Sequence, residues 1–260
     1  NKETSKELSK KEGYKYFSNL DNLLDNVDAI DIVSPTSTHY EIAKNVILNN
    51  KHVFIEKPIT DNSDHAKELI ELSKKNKIIG QVGHVERFNP AYVASISHFN
   101  NPKFIESHRL SDFNPRGNDV SVIMDLMIHD IDIVLNIVKS KVKTINASGV
   151  SIVSDSPDIA NARIEFENNC VANLTASRIS LKKMRKTRIF QKDAYISIDF
   201  LEKELQIVKI KDVDESDSNL SMVIKSNSGK DKVIYFENPE ILEENSILNE
   251  LESFAESINK

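Results

Sequence analysis

Between residues 29 and 84 the chain alternates strand, helix, strand, helix, strand, and this alternation constrains the fold more than any other feature. AIDIVSP (29–35) is an apolar run that stops on Ser34 and Pro35. THYEIAKNVILNN (38–50) spaces Ile42, Val46 and Ile47 as a helix does. HVFIEKP (52–58) is a second apolar run. A helix carrying Ala66, Leu69 and Ile70 follows, with Thr60 or Asp61 expected as its cap, and IIGQVGH (78–84) closes the series. Strands joined by crossover helices form a parallel sheet. Ligands of such sheets bind outside the carboxyl ends of the strands. Those ends carry Ser34-Pro35-Thr36, Glu56-Lys57-Pro58 and Gly83-His84.

After residue 90 the pattern changes. KFIESHRLS (103–111) reads as a strand and DVSVIMDLMIHDIDIVLNIV (119–138) as one long apolar helix. Six strand-like runs follow, from VKTINASGVSIV to KVIYFE, separated by turn-forming stretches such as SDSPD and ENN. Residues 211–231 are polar and expected as a loop or hairpin tip. The expected fold class is α/β: a Rossmann-type parallel sheet over 1–88, followed over 89–260 by an α+β domain with a large, open, mostly antiparallel sheet. Such a sheet must be covered on its free face. The expectation is therefore a homodimer or homotetramer packed sheet to sheet.

Composition narrows the function classes. Hydrophobic residues make up 39% and charged residues 28% of the 260, and the net charge is −6 with acids and bases interspersed. That argues against a nucleic-acid surface. The densest basic run, LKKMRKTR (181–188), is expected on a solvated strand or loop. One cysteine, Cys170, leaves no disulfide or cysteine-based zinc framework and suits a reducing cytoplasm. No apolar run reaches membrane-spanning length. The first residue is Asn1 and the last, Lys260, falls inside a helical pattern, so a fragment truncated at both ends is expected.

Two motifs carry chemistry. FIEKPIT (54–60) ends a buried strand on an acid and a base, Glu56 and Lys57, before Pro58 fixes the turn. By itself Lys57 reads equally as a strand-end lysine in solvent. MDLMIHDID (124–132) puts Asp125 and His129 four apart, on one helix face, where a carboxylate can hold an imidazole's tautomer. By itself this pair reads as a solvated polar stripe. A metal reading lacks a third strong ligand.

Together, VFIEKPIT, GHVERFNP (83–90) and MDLMIHDIDI (124–133) resemble the glucose-fructose oxidoreductase/inositol dehydrogenase/MocA (Gfo/Idh/MocA) family of NAD(P)-dependent oxidoreductases, from about residue 14 to the C-terminus. The resemblance implies a Rossmann domain and a C-terminal open-sheet domain. It implies His129 as general acid/base, Asp125 as its orienting partner, and Lys57 as the group that stabilises the substrate oxygen. Lys57-Pro58 is expected as the cis peptide the family often carries there. The residues expected near NAD or NADP are Ser34, Pro35, Thr36, His39, Glu56, Lys57, Pro58 and Arg87. For His39 a ligand-free place in the first helical turn, and for Arg87 a domain-bridging ion pair, are equal alternatives. The pattern is most similar to the family's nucleotide-sugar branch, which implies a substrate of the UDP-N-acetylglucosamine kind. Arg109 and Arg116 then become candidate diphosphate forks beside Lys57, Asp125 and His129. A free sugar or a cyclitol is the alternative substrate, and a non-catalytic binding or regulatory member the alternative role. One departure stands out: the six glycines form no G-x-G-x-x-G, the family's phosphate loop.

Overall fold

A computed structural model describes residues 2–113, 120–212, 222–224 and 231–260. The chain divides into two compact units, Asn1–Gly83 with Leu251–Lys260, and His84–Glu250. The division falls at residue 83 rather than 88, and the last ten residues rejoin the first unit. The reason is packing: Phe254, from the chain's last helix (Ser246–Ile258), meets Phe54 edge to face at 5.7 Å.

The first unit opens with α1 (Lys2–Glu12), which buries no residue, and α2 (Leu20–Leu24), capped by the Asn19 side chain. Then come β1 (Ala29–Ile32), α3 (Thr36–Leu48), β2 (His52–Glu56), α4 (Ser63–Asn76) and β3 (Gly80–Gly83). The strands lie in the order β1-β2-β3, all parallel, with Ala29 opposite His52 and Glu56 opposite Gly83. Ile30, Ile32, Val53 and Ile55 face one way because a strand alternates. They meet Ala43, Val46 and Ile47 of α3 and Leu69 of α4. The cap of α4 is Asn62, whose side chain accepts from the Asp64 and His65 amides; Thr60 instead donates to the Asn62 carbonyl.

The second unit begins with a 3₁₀ turn, Val85–Phe88, and α5 (Pro90–Ser95). β4 (Phe104–Leu110) follows, then a π-helical turn, Ile123–Met127, continuous with α6 (Ile128–Val138). The long helix expected from the sequence is thus a π turn joined to an α-helix. The remaining strands are β5 (Val142–Val150), β6 (Ile159–Phe166), β7 (Val171–Ser177), β8 (Met184–Phe190), β9 (Ala194–Asp199), β10 (Glu204–Asp212), β11 (Met222–Ile224) and β12 (Lys232–Glu237). Among the described residues they form a nine-stranded sheet in the order β11-β12-β10-β9-β8-β4-β7-β6-β5. β4 and β7 are parallel and every other pair is antiparallel. Alanines at 160, 162, 172 and 176 keep the sheet's inner face low. That lets Ile133, Val134, Ile137 and Val138 of α6 join the same core. The basic run after Leu181 becomes β8, whose Lys186 and Arg188 pair with Asp199 and Glu106 at 3.2 and 3.0 Å. Most of the span 211–231 expected as a loop lies outside the described residues.

The sheet's free face is not the apolar surface expected. It carries polar pairs: Asn161 on β6 donates to Thr175 on β7 at 2.9 Å, and Glu106 on β4 pairs with Arg188 on β8. Aromatic rings gather at one end of the central strands β4, β8 and β9, with Phe190 5.8 Å from Phe104 and 5.1 Å from Tyr195. No helix of the described residues is long and apolar enough to cross a membrane.

Candidate active site

In the first unit the candidate residues sit at the carboxyl ends of the three strands, where the parallel topology delivers them. After β1, Pro35 precedes the first turn of α3. The Ser34 hydroxyl lies 2.6 Å from that of Thr38, which donates to the Pro35 carbonyl at 2.7 Å. After β2, Glu56 and Lys57 are half-buried, and the Lys57–Pro58 peptide is cis, as the resemblance implied. A Cβ at Gly83 would stand 3.1 Å from both Glu56 Oε2 and Phe54 Cε1, so glycine is what lets Glu56 lie across the end of β3. Asp31, solvent-facing on β1, has its carboxyl pushed above the usual carboxylate range, first by partial desolvation and then by the charge on Glu56.

His39 does not offer itself to a ligand. It is 1% exposed, with Nδ1 2.9 Å from the Pro58 carbonyl oxygen and Nε2 2.8 Å from that of Ser34. Carbonyls only accept, so the ring's donor capacity is committed to backbone. His39 therefore braces the turn after β1 against the turn after β2, which corrects the expectation of a cofactor contact.

In the second unit Asp125 lies in the π turn and His129 in the first turn of α6, both half-buried. A π turn is wider than an α turn and recurs at functional sites. The acids further along are committed elsewhere. Asp132 receives Arg87 in a fork, Nε to Oδ2 at 2.7 Å and Nη2 to Oδ1 at 2.5 Å, with His84 Nε2 at 3.8 Å. Arg87 is thus ion-paired to a partner inside its own unit rather than across two domains, and its side chain remains half exposed. Arg109 is 2% exposed. Its Nε donates to Asp130 Oδ2 at 2.9 Å and its Nη1 to Glu86 Oε1 at 2.8 Å, so its fork is spent inside the fold and not on a diphosphate. Arg116 lies outside the described residues. Burial pushes the Cys170 thiol up, away from a nucleophile's range. No cluster of three metal-ligating side chains occurs among the described residues.

Sequence reasoning missed four charged groups that shape this unit: Glu86, Asp130, Asp158 and Arg178, all buried. The only trace of them in sequence is an acid or arginine inside an otherwise apolar or turn-forming run.

Comparison with known proteins follows the same division. The description "Oxidoreductase family, NAD-binding Rossmann fold" matches residues 1–84, and "GFO/IDH/MocA C-terminal domain" matches residues 75–197. The UDP-N-acetylglucosamine 3-dehydrogenase of Acidithiobacillus ferrooxidans is 39% identical over 209 residues, covering 80% of this chain and 66% of that protein. A solved structure of that enzyme superposes with a TM-score of 0.87 at 33% identity, covering 100% of this chain and 78% of the other. The scyllo-inositol 2-dehydrogenase (NAD(+)) of Bacillus subtilis is 28% identical over 171 residues, covering 59% of this chain and 49% of that protein. The chain thus spans between about half and two-thirds of the length of these two curated relatives.

Proposed function

The chain belongs to the Gfo/Idh/MocA oxidoreductase family, and from that premise we propose that it serves NAD(P)-dependent oxidation of a secondary hydroxyl on a sugar, specifically a nucleotide sugar of the UDP-N-acetylglucosamine type. The observation that carries this reading is the set Lys57, Asp125 and His129, set on a fold that superposes at TM-score 0.87 on a UDP-N-acetylglucosamine 3-dehydrogenase. Oxidising an alcohol removes a proton from oxygen and two electrons with hydrogen from carbon. His129 takes the hydroxyl proton, as an imidazole near neutral pH is suited to do. Asp125 holds the ring's tautomer. Lys57 stabilises the negative charge that grows on the oxygen.

A bound nicotinamide dinucleotide would supply the two-electron acceptor. The residues present suit its nicotinamide end: the Ser34 and Thr36 hydroxyls, Glu56, and the Lys57–Pro58 turn stand at adjacent strand ends. They include no glycine loop for its diphosphate; among the described residues the only glycine at positive φ is Gly13, ahead of the sheet. Substrate contacts are proposed for Lys57, Asp125, His129 and Arg116, but not for Arg109. A cyclitol or free sugar is the second reading, favoured by the 28% identity to an inositol dehydrogenase. We also place the protein in the cytoplasm, as a homodimer or homotetramer packed through the open sheet.

The test is NADH and NADPH fluorescence titration of the protein, followed by turnover of UDP-N-acetylglucosamine and scyllo-inositol read as NAD(P)H absorbance. Turnover of the UDP-sugar supports the reading. Turnover of inositol alone moves the substrate to the cyclitols. Absence of dinucleotide binding would overturn it in favour of a non-catalytic member.

A further inference from the structure

Resting on that reading, we propose that the buried pair Arg178–Asp158 is a positioning device for Asp125 and His129: it fixes where the helical segment bearing them begins. The pair lies at the sheet end that receives this segment, Asp158 just ahead of β6 and Arg178 just after β7. Asp158 is fully buried and Arg178 is 4% exposed. The Asp158 carboxylate accepts from the amides of Ile152, Val153 and Ser154 at 2.8, 2.7 and 3.0 Å, from the Ser154 hydroxyl at 2.5 Å, and from Arg178 Nε at 2.9 Å. Those hydrogen bonds hold the carboxyl well below the usual carboxylate range. The other guanidinium nitrogens reach further. Nη2 donates to the Ser154 and Ser156 hydroxyls, each at 2.7 Å, and Nη1 to the Val120 carbonyl at 2.8 Å.

Val120 is three residues ahead of the π turn. A second tie runs in parallel, from the Val122 amide to the Pro157 carbonyl at 3.2 Å. Between the two ties, Ser121 accepts the Asp125 amide on its carbonyl at 3.0 Å and the Met124 amide on its hydroxyl at 3.4 Å. The path from the guanidinium to Asp125 is therefore short and made of hydrogen bonds.

Packing holds this start less closely than the body of α6, although Val122, just ahead of the π turn, is fully buried. The body of α6 is seated by Ile133, Val134, Ile137 and Val138, but in the π turn Ile123 is exposed and only Met127 is fully buried. A π turn is also uncommon and weakly self-supporting, so its location must be set from outside. A buried ion pair is a poor way to gain stability over apolar packing but a good way to specify one geometry. Arginine is required because four acceptors on two different segments, the 154–158 loop and the lead-in at Val120, are served from one planar fork; a lysine ammonium has three donors on a single atom.

The experiment compares the protein with Arg178→Lys and Arg178→Met by amide hydrogen exchange over 120–138, by the His129 ring signals in nitrogen-correlated NMR, and by kcat and KM for UDP-N-acetylglucosamine. The expected result is exchange about tenfold faster over 121–129 with 133–138 still protected. The His129 ring signal should shift, and kcat should fall about 10- to 100-fold with KM within about twofold. Lysine should not rescue. If the Arg178 variants do not fold, the double substitution Ser154→Ala and Ser156→Ala removes only the Nη2 partners and should give a smaller change in the same segment. Uniformly faster exchange, or unchanged exchange over 121–129, would overturn the inference even where kcat falls. Local exchange and a shifted His129 in a protein that turns over no sugar would uphold the positioning and remove the catalytic reading instead.

Discussion

The two units hold their candidate residues in different ways. In the first, topology places them: parallel strands end together, and main-chain contacts finish the work. His39 ties two turns through carbonyls, and Gly83 makes room for Glu56. In the second, a helix start carries the residues, and buried charges pin it. Asp130 is clamped by Arg109, Asp132 by Arg87, and the lead-in by Arg178. A strand end needs no ion pair because the sheet ladder fixes it, whereas a helix can slide or rotate on an apolar sheet unless directional bonds stop it. Charge removal should therefore be costly in the second unit and mild in the first.

The largest expected effects test whether both units serve one reaction. Lys57→Met and His129→Gln should each lower kcat on UDP-N-acetylglucosamine by about 10²–10³ with little change in Tm. If only one of them matters, the two units do not share a reaction and the comparison loses its functional meaning. Next comes the helix clamp. Arg109→Met takes the shared guanidinium from the buried Glu86 and Asp130, leaving them only weaker partners such as Asn89 and Ser107. It should cost about 3–5 kcal/mol, read as a lowered denaturant midpoint. KM for the UDP-sugar should stay within about twofold. A large rise in KM with intact stability would return Arg109 to the substrate.

Much of this was legible in the sequence, and the unevenness has a cause. The first unit could be read strand by strand because its core positions recur at periods of two and 3.6, and its functional residues follow each strand directly. Asp125 and His129 were legible too, as an acid and an imidazole four apart. What pins them was not. Arg109 and Arg87 look like free guanidinium forks until Asp130, Glu86 and Asp132 are brought to them from 21, 23 and 45 residues away. The π turn was hidden because Ile123–Met127 carries the same apolar residues an α-helix would. For His39 the sequence leaves a ligand contact and a ligand-free first-turn place equally open, because nothing local shows two backbone carbonyls closing on its ring.

A first-unit counterpart to the arginine clamp is His39. His39→Ala removes the ring that faces the Ser34 and Pro58 carbonyls and takes the donor from at least one of them, an expected loss of about 1–3 kcal/mol. It should appear as a lower Tm and faster proteolysis near residues 34–38 and 57–60, both below the effect of Arg109→Met. A loss larger than that of Arg109→Met would reverse the ranking of the two units.

The smallest effect has the opposite sign. Asp31 is less acidic in the folded chain than in the unfolded one, through partial desolvation and the nearby Glu56 charge. A carboxyl whose folded pKa is raised opposes folding once the pH climbs past its unfolded value of about 3.9. The opposition grows until the folded group has ionised too, and is then constant. Asp31→Asn should therefore stabilise the protein at pH 7. Because the side chain is solvent-facing, screening keeps the gain below about 1 kcal/mol. The gain should fade as the pH falls below about 4, since the wild-type carboxyl is then neutral in both states. Thermal unfolding of wild type and Asp31→Asn between pH 3 and 8 reads this directly. A variant less stable than wild type at pH 7 would mean that the Asp31 charge is satisfied in the folded state. The first unit, like the second, would then rely on a paired charge, and the contrast between strand ends and helix start would fail at its most exposed point.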